Sequence, residues 1–332
     1  MEFVGRNSIE KLSGIVNGQV LLFTQENIYN IFKDKLALVN PIIYTKISEN
    51  PKREEIQQAE DTIKGDNFDS IVAFGGGSVI DFAKAFRFYT KRNVPLIAIP
   101  STAGTGSQAT QFAVVYVNHE KTSLDDKSIK PDHVIVDSQF VEHAPHYLKA
   151  CCAMDAYCQA IESFWAKQAT PESQKYALEA VKLCHEYLEK AVNTFDPVIN
   201  EKMALAAHLA GKAINISRTT AAHALSYKIT SLYGIPHGHA VALNIAELFV
   251  YNAKSCNVDS ILDILQIDKI GIIPYFDNLM ARIGLETCLE KLGITDVDAI
   301  VDSVNVERLK NNPTALTKDD LRSIVTRTVE NN

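Results

Sequence analysis

Ser70-Ile71-Val72-Ala73-Phe74-Gly75-Gly76-Gly77-Ser78-Val79-Ile80-Asp81-Phe82-Ala83-Lys84 decides the fold of the first half of this chain. A buried apolar run of strand length stops at three glycines, and a helical pattern opens behind them. Glycines there let the backbone approach a phosphate closely, while free amides and the helix dipole favour anionic oxygens. The stretch is not G-x-G-x-x-G and lacks the Gly-Lys-Ser/Thr ending of a P-loop. Taken alone, it also fits a plain strand-to-helix turn.

Its neighbours repeat the same rhythm. Gln19 to Thr24 reads as a strand, Asn27 to Leu38 as a helix, Asn40 to Thr45 as a strand and Arg53 to Lys64 as a polar-faced helix. Val94 to Pro100 is a further strand. This alternation predicts a mostly parallel, Rossmann-like sheet flanked by helices. A second loop, Pro100-Ser101-Thr102-Ala103-Gly104-Thr105-Gly106-Ser107, leaves that last strand with small and hydroxyl-bearing residues suited to a dinucleotide. Both loops fall at carboxyl ends of strands, where open α/β sheets bind ligands.

From about Pro145 the pattern turns helical, which divides the chain into an α/β domain over 1–145 and an all-α domain over 146–332. Thr170-Pro171-Glu172 is a helix entrance, with Thr as N-cap and Pro at the first position. Ala221 to Tyr233 reads as a helix that closes at Gly234. In Cys151-Cys152-Ala153-Met154-Asp155-Ala156-Tyr157-Cys158-Gln159-Ala160-Ile161-Glu162, Asp155 and Gln159 stand four residues apart and share one helix face. With His223 and His237 they form a carboxylate, amide and two-imidazole set able to surround a divalent ion if the fold gathers it. A lone buried histidine is more often a hydrogen-bonded core residue, and Asp155 alone fits a cap or an ion pair.

With 332 residues, 46% hydrophobic and 22% charged, the chain has the composition of a two-domain globular protein. A net charge of −7 without a basic block argues against nucleic acid and anionic membranes as partners. No apolar run of spanning length occurs, and Met1-Glu2-Phe3-Val4-Gly5 lacks a signal-peptide pattern, so a cytoplasmic enzyme is expected. The six cysteines (151, 152, 158, 184, 256 and 288) lack paired CxxC spacing, and Cys151, Cys152 and Cys158, clustered on one helix, are expected as reduced, buried thiols.

These motifs, in this order and spacing, resemble the iron-containing (group III) alcohol dehydrogenases over nearly the whole chain. The matching segments are Gly75-Gly76-Gly77-Ser78 with Asp81 and Lys84, Pro100 to Ser107, Met154-Asp155-Ala156 with Ala160-Ile161-Glu162, His223, and Pro236-His237-Gly238. Asn312-Pro313-Thr314 to Leu321 matches the family's tail. The resemblance implies a dehydroquinate synthase-like architecture: a dinucleotide-binding domain, a helical domain and an active site in the cleft between them. It implies NAD(P)H as cofactor, with Gly75, Gly76, Gly77, Ser78, Asp81, Thr102 and Thr105 as its contacts. Gln25 joins them because Thr24-Gln25 stands where the family often carries Thr-Asp, removing a carboxylate that repels a 2′-phosphate. It implies a divalent ion, Fe²⁺ by family, on Asp155, Gln159, His223 and His237. Gln159 replaces the usual histidine, and an uncharged amide oxygen opens the site to Zn²⁺ or another ion.

Tyr227 stands where the family often carries a further histidine, so Tyr227, His237 and His239 are the catalytic candidates. The helix start expected at His237 disfavours imidazolium and keeps a neutral, ligating ring. Within the family the chain looks most like phosphonoacetaldehyde reductases, which make 2-hydroxyethylphosphonate in phosphonate biosynthesis. A dianionic substrate calls for cations, and Arg218, Lys228, His239, Lys127 and Lys130 are the candidates. The substrate is expected to be a small aldehyde or alcohol, and the family's habit makes a homodimer the expected assembly. The rival readings are a general alcohol dehydrogenase, an NAD-dependent sugar-phosphate cyclase and a nucleotide binder without turnover.

Overall fold

The computed structural model describes residues 1–117 and 120–327. The chain divides into two compact units, Met1–His143 and Ala144–Asn332.

The first unit contains β1 (Glu2–Val4), α1 (Leu12–Ile15), β2 (Val20–Phe23), α2 (Glu26–Leu36), β3 (Ile42–Tyr44), α3 (Arg53–Ile63), β4 (Ser70–Gly75), α4 (Gly77–Thr90) and β5 (Leu96–Pro100). It continues through β6 (Phe112–Val117), β7 (Glu120–Asp125) and β8 (His133–Val136). Six strands form one sheet in the order β1-β8-β5-β4-β2-β3, and every pairing is parallel. Strands buried on both faces explain the unbroken apolar runs. Leu21 and Phe23 of β2 and Ile71 and Ala73 of β4 pack on one face with Ile56 and Ala59 of α3 and Phe82 and Phe86 of α4. Leu22, Val72 and Phe74 face the other side with Phe32 and Leu36 of α2.

The path runs from β2 outward to β3, then returns across β2 to β4 and on to β5. The direction of winding therefore reverses between β2 and β4, the position where open α/β sheets take ligands. Gln25 and the three-glycine turn lie at the carboxyl ends of those two strands. The sequence reading omitted β1, β8 and the antiparallel β6–β7 hairpin. β1 and β8 have three and four residues, too few to show a period.

The second unit is helical: α5 (His146–Trp165), α6 (Pro171–Asn193), α7 (Pro197–Ser217), α8 (Ala221–Tyr233), α9 (His237–Asn252), α10 (Asp259–Leu265), α11 (Ile272–Arg282), α12 (Val297–Asp302), α13 (Val306–Leu309) and α14 (Lys318–Val325). α5 is buried from Cys151 to Trp165 except at Cys152, and packs on α6, α7 and α9. Thr170 caps α6 with its side chain and Gly234 ends α8 at φ 68°. All six cysteines are free thiols. Among the described residues no helix is long and apolar enough to cross a membrane.

Candidate active site

In the first unit the polar turns are built from backbone. Gly76 is the N-cap of α4 and Gly77 its first residue. A Cβ on Gly77 would lie 2.7 Å from Thr105 Oγ1, so only glycine lets the second loop close on this helix start. Ser101 N donates to Gly75 O at 2.9 Å, and Thr102 Oγ1 lies 3.7 Å from where a Gly76 Cβ would stand. The structure thus brings Gly75, Gly76, Gly77, Thr102 and Thr105 together. Ser78 Oγ accepts from Asn50 N at 3.3 Å, and half-buried Gln25 donates to Ile47 O at 3.5 Å.

Asp81 lies in the first turns of α4 beside the second loop. Its carboxylate accepts from Ser107 Oγ and, at 3.0 Å, from Val114 N, so it braces the second loop and β6. Lys84 acts likewise. Its buried Nζ donates to Ser107 O (2.5 Å), Ser107 Oγ (3.0 Å), Thr110 Oγ1 (3.1 Å) and Phe112 O (2.7 Å). Both charges serve the shape of the loop. Lys127 and Lys130 are exposed, at a short turn capped by Asp126.

In the second unit side chains converge instead. Asp155 on α5, His223 in the first turn of α8 and His237 at the start of α9 place one ligand atom each within 4.8 Å of one another. Asp155 Oδ1 and His223 Nε2 lie 3.4 Å apart, both buried and neither in a well-formed hydrogen bond. Two buried polar atoms left in this state cost free energy that a shared cation recovers. Burial acts to raise the Asp155 carboxyl, yet the adjacent His223, the two imidazole charges and a hydrogen bond from Gln159 hold it below its ordinary value. Burial acts to lower His223, but Glu162 and Asp155 outweigh it and lift the ring to about 9. Buried Gln159 contacts the cluster through its hydrogen bond to Asp155.

Sequence reading gave Glu162 no role, and the structure makes it the organiser of the cluster. Its Oε1 accepts from Thr220 N (3.2 Å), Thr220 Oγ1 (2.6 Å) and Ala222 N (2.8 Å), capping α8 from another helix. Its other oxygen accepts from His223 Nδ1, which turns Nε2 toward Asp155 as the nitrogen that would give up its proton to bind an ion. The signal was present: Asp155, Gln159 and Glu162 follow the i, i+4, i+7 face of α5. Ser226 Oγ lies 3.1 Å from His237 Nδ1 and engages that nitrogen in the same way. Gly238 gives α9 its approach, since a Cβ there would overlap Cys151 O and lie 3.0 Å from Asp155 Cβ. This donor set, with both imidazoles held from behind and one nitrogen of each turned inward, fits a divalent ion that would displace the His223 proton.

His239 is hydrogen-bonded at both ring nitrogens. Its Nε2 lies 2.7 Å from the carbonyl of Glu286 and donates to it, and Nδ1 is hydrogen-bonded with Tyr147 Oη at 3.0 Å. Both nitrogens are engaged, and burial holds the ring below its ordinary pKa. Tyr227 lies beside the cluster, its ring 5.8 Å from that of His237 and nearly parallel at 10°. Arg308, a residue outside every sequence motif, donates to Tyr227 Oη and sets its guanidinium 4.8 Å from the ring centre. Eighty-one residues separate the two, so no local pattern announced the pair.

Arg218 ends α7 at φ 63°, ψ 178°, and its guanidinium donates to Asn215 O at 3.3 Å. Lys228 is half-buried on α8, next in sequence to Tyr227.

Comparison with known proteins follows the same division. Residues 3–138 match the family described as iron-containing alcohol dehydrogenase, and residues 149–329 match the family's C-terminal part. The NAD-dependent methanol dehydrogenase of Bacillus methanolicus is 29% identical over 316 residues, covering 85% of this chain and 83% of the relative. The phosphonoacetaldehyde reductase of Streptomyces viridochromogenes is 29% identical over 299 residues, covering 76% and 74%. The crystal structure of sulfoacetaldehyde reductase from Bifidobacterium kashiwanohense in complex with NAD+ superimposes with a TM-score of 0.88 at 26% identity. That superposition covers 99% of this chain and 98% of the other.

Proposed function

This chain belongs to the iron-containing alcohol dehydrogenase family and is an NAD-linked oxidoreductase, and from that premise we propose that it reduces phosphonoacetaldehyde to 2-hydroxyethylphosphonate. The observation that carries the chemistry is the buried gathering of Asp155, His223 and His237. These three residues would hold a divalent ion, with Gln159 as a neutral fourth contact. When bound, the ion polarises the aldehyde oxygen and NAD(P)H supplies the hydride.

The protein's own residues do the rest. Glu162 and Ser226 orient the two imidazoles, which keeps the ligand atoms aimed inward without reorganisation. The amides of the glycine turn and the α4 dipole suit a pyrophosphate, with Thr102 and Thr105 beside it. Tyr227 Oη accepts from Arg308, so its own hydrogen points elsewhere and serves as the proton for the product oxygen. Gln159 in place of a second anionic or imidazole donor weakens retention of the ion. A Gln159→His variant is expected to purify with a higher metal content, measured by elemental analysis.

The phosphonate assignment is supported by the identity with the Streptomyces reductase, and the NAD+-bound sulfoacetaldehyde reductase extends the same substrate shape to a sulfonate. The test is oxidation of NADH and of NADPH with phosphonoacetaldehyde, propanal and lactaldehyde, with and without Fe²⁺, Zn²⁺ or Mg²⁺. Preference for the phosphonate supports the reading. Equal use of plain aldehydes overturns it in favour of a general alcohol dehydrogenase. A cytoplasmic homodimer belongs to the same proposal, and cell fractionation with light scattering tests it.

A further inference from the structure

We propose that Thr220 and Trp165 are positioning residues for the ligand His223, and that Trp165 reports the arrival of the ion. This inference rests on the ion-binding reading of the cluster and adds a layer behind Glu162. Four groups form one hydrogen-bonded chain. Trp165 Nε1 donates to Thr220 Oγ1 at 3.1 Å, Thr220 Oγ1 donates to Glu162 Oε1 at 2.6 Å, and Glu162 Oε2 accepts from His223 Nδ1. All four residues are buried.

Thr220 is the N-cap of α8, a position whose hydroxyl ordinarily accepts from an amide of its own helix. Here it makes no such bond. Its proton goes to Glu162 and a lone pair to the indole, while Glu162 Oε1 takes Ala222 N in its place at 2.8 Å. The hydroxyl thus fixes a carboxylate instead of capping its helix. With Thr220 N, three donors fall on Oε1, so the free oxygen is the one presented to His223. Donors prefer the plane of the group that accepts them, so fixing Oε1 sets the direction from which Oε2 holds the imidazole. A buried indole N–H needs an acceptor in any fold. The acceptor here is itself a donor to Glu162 rather than a terminal carbonyl, and each bond in such a chain polarises the next. The Trp165 ring also stands 5.3 Å from that of Phe249, at 69°. It therefore belongs to α5, bonds the cap of α8 and packs on α9, the three helices that carry Asp155, His223 and His237.

The test follows uptake of Zn²⁺ by the full chain, first freed of metal, in competition with a chromophoric chelator. Thr220→Val keeps the shape and loses the hydroxyl, and Zn²⁺ affinity is expected to fall about 5-fold, less than for a direct partner of a ligand. Thr220→Ser is expected to stay close to wild type. Trp165→Phe keeps a ring but loses the N–H, with an expected fall of about 3-fold. Because the effect passes through Glu162, Thr220→Val should add nothing in a Glu162→Gln background. Trp165 is the one tryptophan of the chain, so Zn²⁺ should shift its emission in the wild type and not in Thr220→Val. Full Zn²⁺ affinity in Thr220→Val, an equal loss in Thr220→Ser, or an undiminished loss in the Glu162→Gln background overturns the proposal. So does a parallel loss of NADH affinity, which marks a general loosening. Wild-type emission that ignores bound Zn²⁺ overturns the part given to Trp165. A wild type that takes up neither Zn²⁺ nor Fe²⁺ overturns the ion reading itself.

Discussion

The glycine turn of the first unit and the carboxylate–imidazole cluster of the second are two opposite ways to build a binding site. At the turn the side chains are removed: Gly76 and Gly77 expose amides, while the charged residues Asp81 and Lys84 are spent on holding the loops. At the cluster the side chains are the site, and the backbone is shaped around them, with Gly238 admitting α9 and Glu162 capping α8. At the turn Asp81 and Lys84 are braces, whereas at the cluster Asp155 and Glu162 face the imidazole rings. Substitutions should separate along that line.

The largest effect is expected at the ligands themselves. His223→Ala or His237→Ala should lose bound metal and turnover together while keeping affinity for NADH, because the glycine turn uses none of their atoms. Elemental analysis, an NADH oxidation assay and nucleotide fluorescence titration check this. Turnover retained without metal would break the contrast at its root.

Lys84→Met tests the other side of it. The buried ammonium donates to two backbone carbonyls and two hydroxyls, and methionine leaves them unanswered. A loss of about 3 kcal/mol in urea unfolding is expected, with metal content unchanged. Burial brings the Lys84 pKa from 10.5 down to about 8, against Asp81 and with Lys130. Between about 8 and 10.5 the unfolded chain holds this proton and the native chain does not, so this group's contribution to stability rises with pH. The deficit of Lys84→Met should widen from about pH 8 to about pH 10. A gap that narrows would refute the sign.

Glu162→Gln sharpens the claim that supports count as part of the cluster. The amide keeps the size but replaces one acceptor oxygen with a donor, disturbing either the α8 cap or the His223 tautomer. Metal affinity should fall by about 10–100-fold while the fold persists. Competition with a chromophoric chelator measures it, and wild-type affinity would reduce Glu162 to a helix cap.

How far each region could be read from sequence follows from the same contrast. The strand-to-helix turn is local, so Ser70 to Lys84 announces β4 and α4 within one stretch, and the parallel sheet follows from the repeated rhythm. The ligand residues were visible through their motifs. What escaped was relational. Arg308 meets Tyr227 only after the tail has folded back, and His239 meets Tyr147 and the Glu286 carbonyl across long stretches of chain. The bonds of Asp81 to Ser107 and Val114 likewise span separate segments. β6 and β7 were missed because pairing across a hairpin, rather than an apolar run, defines them.

The smallest effect expected has the opposite sign. Arg218 holds φ 63°, ψ 178°, a region that disfavours any residue with a Cβ, while Asn311 fastens the carbonyls on either side of it. Strain tied down in this way, shortly before His223, sets where α8 begins. Arg218→Gly removes the Cβ clash but adds freedom to the unfolded chain, so a net gain of about 1 kcal/mol is expected. Thermal unfolding gives the sign. If the variant is less stable, the guanidinium bond to Asn215 O outweighs the strain.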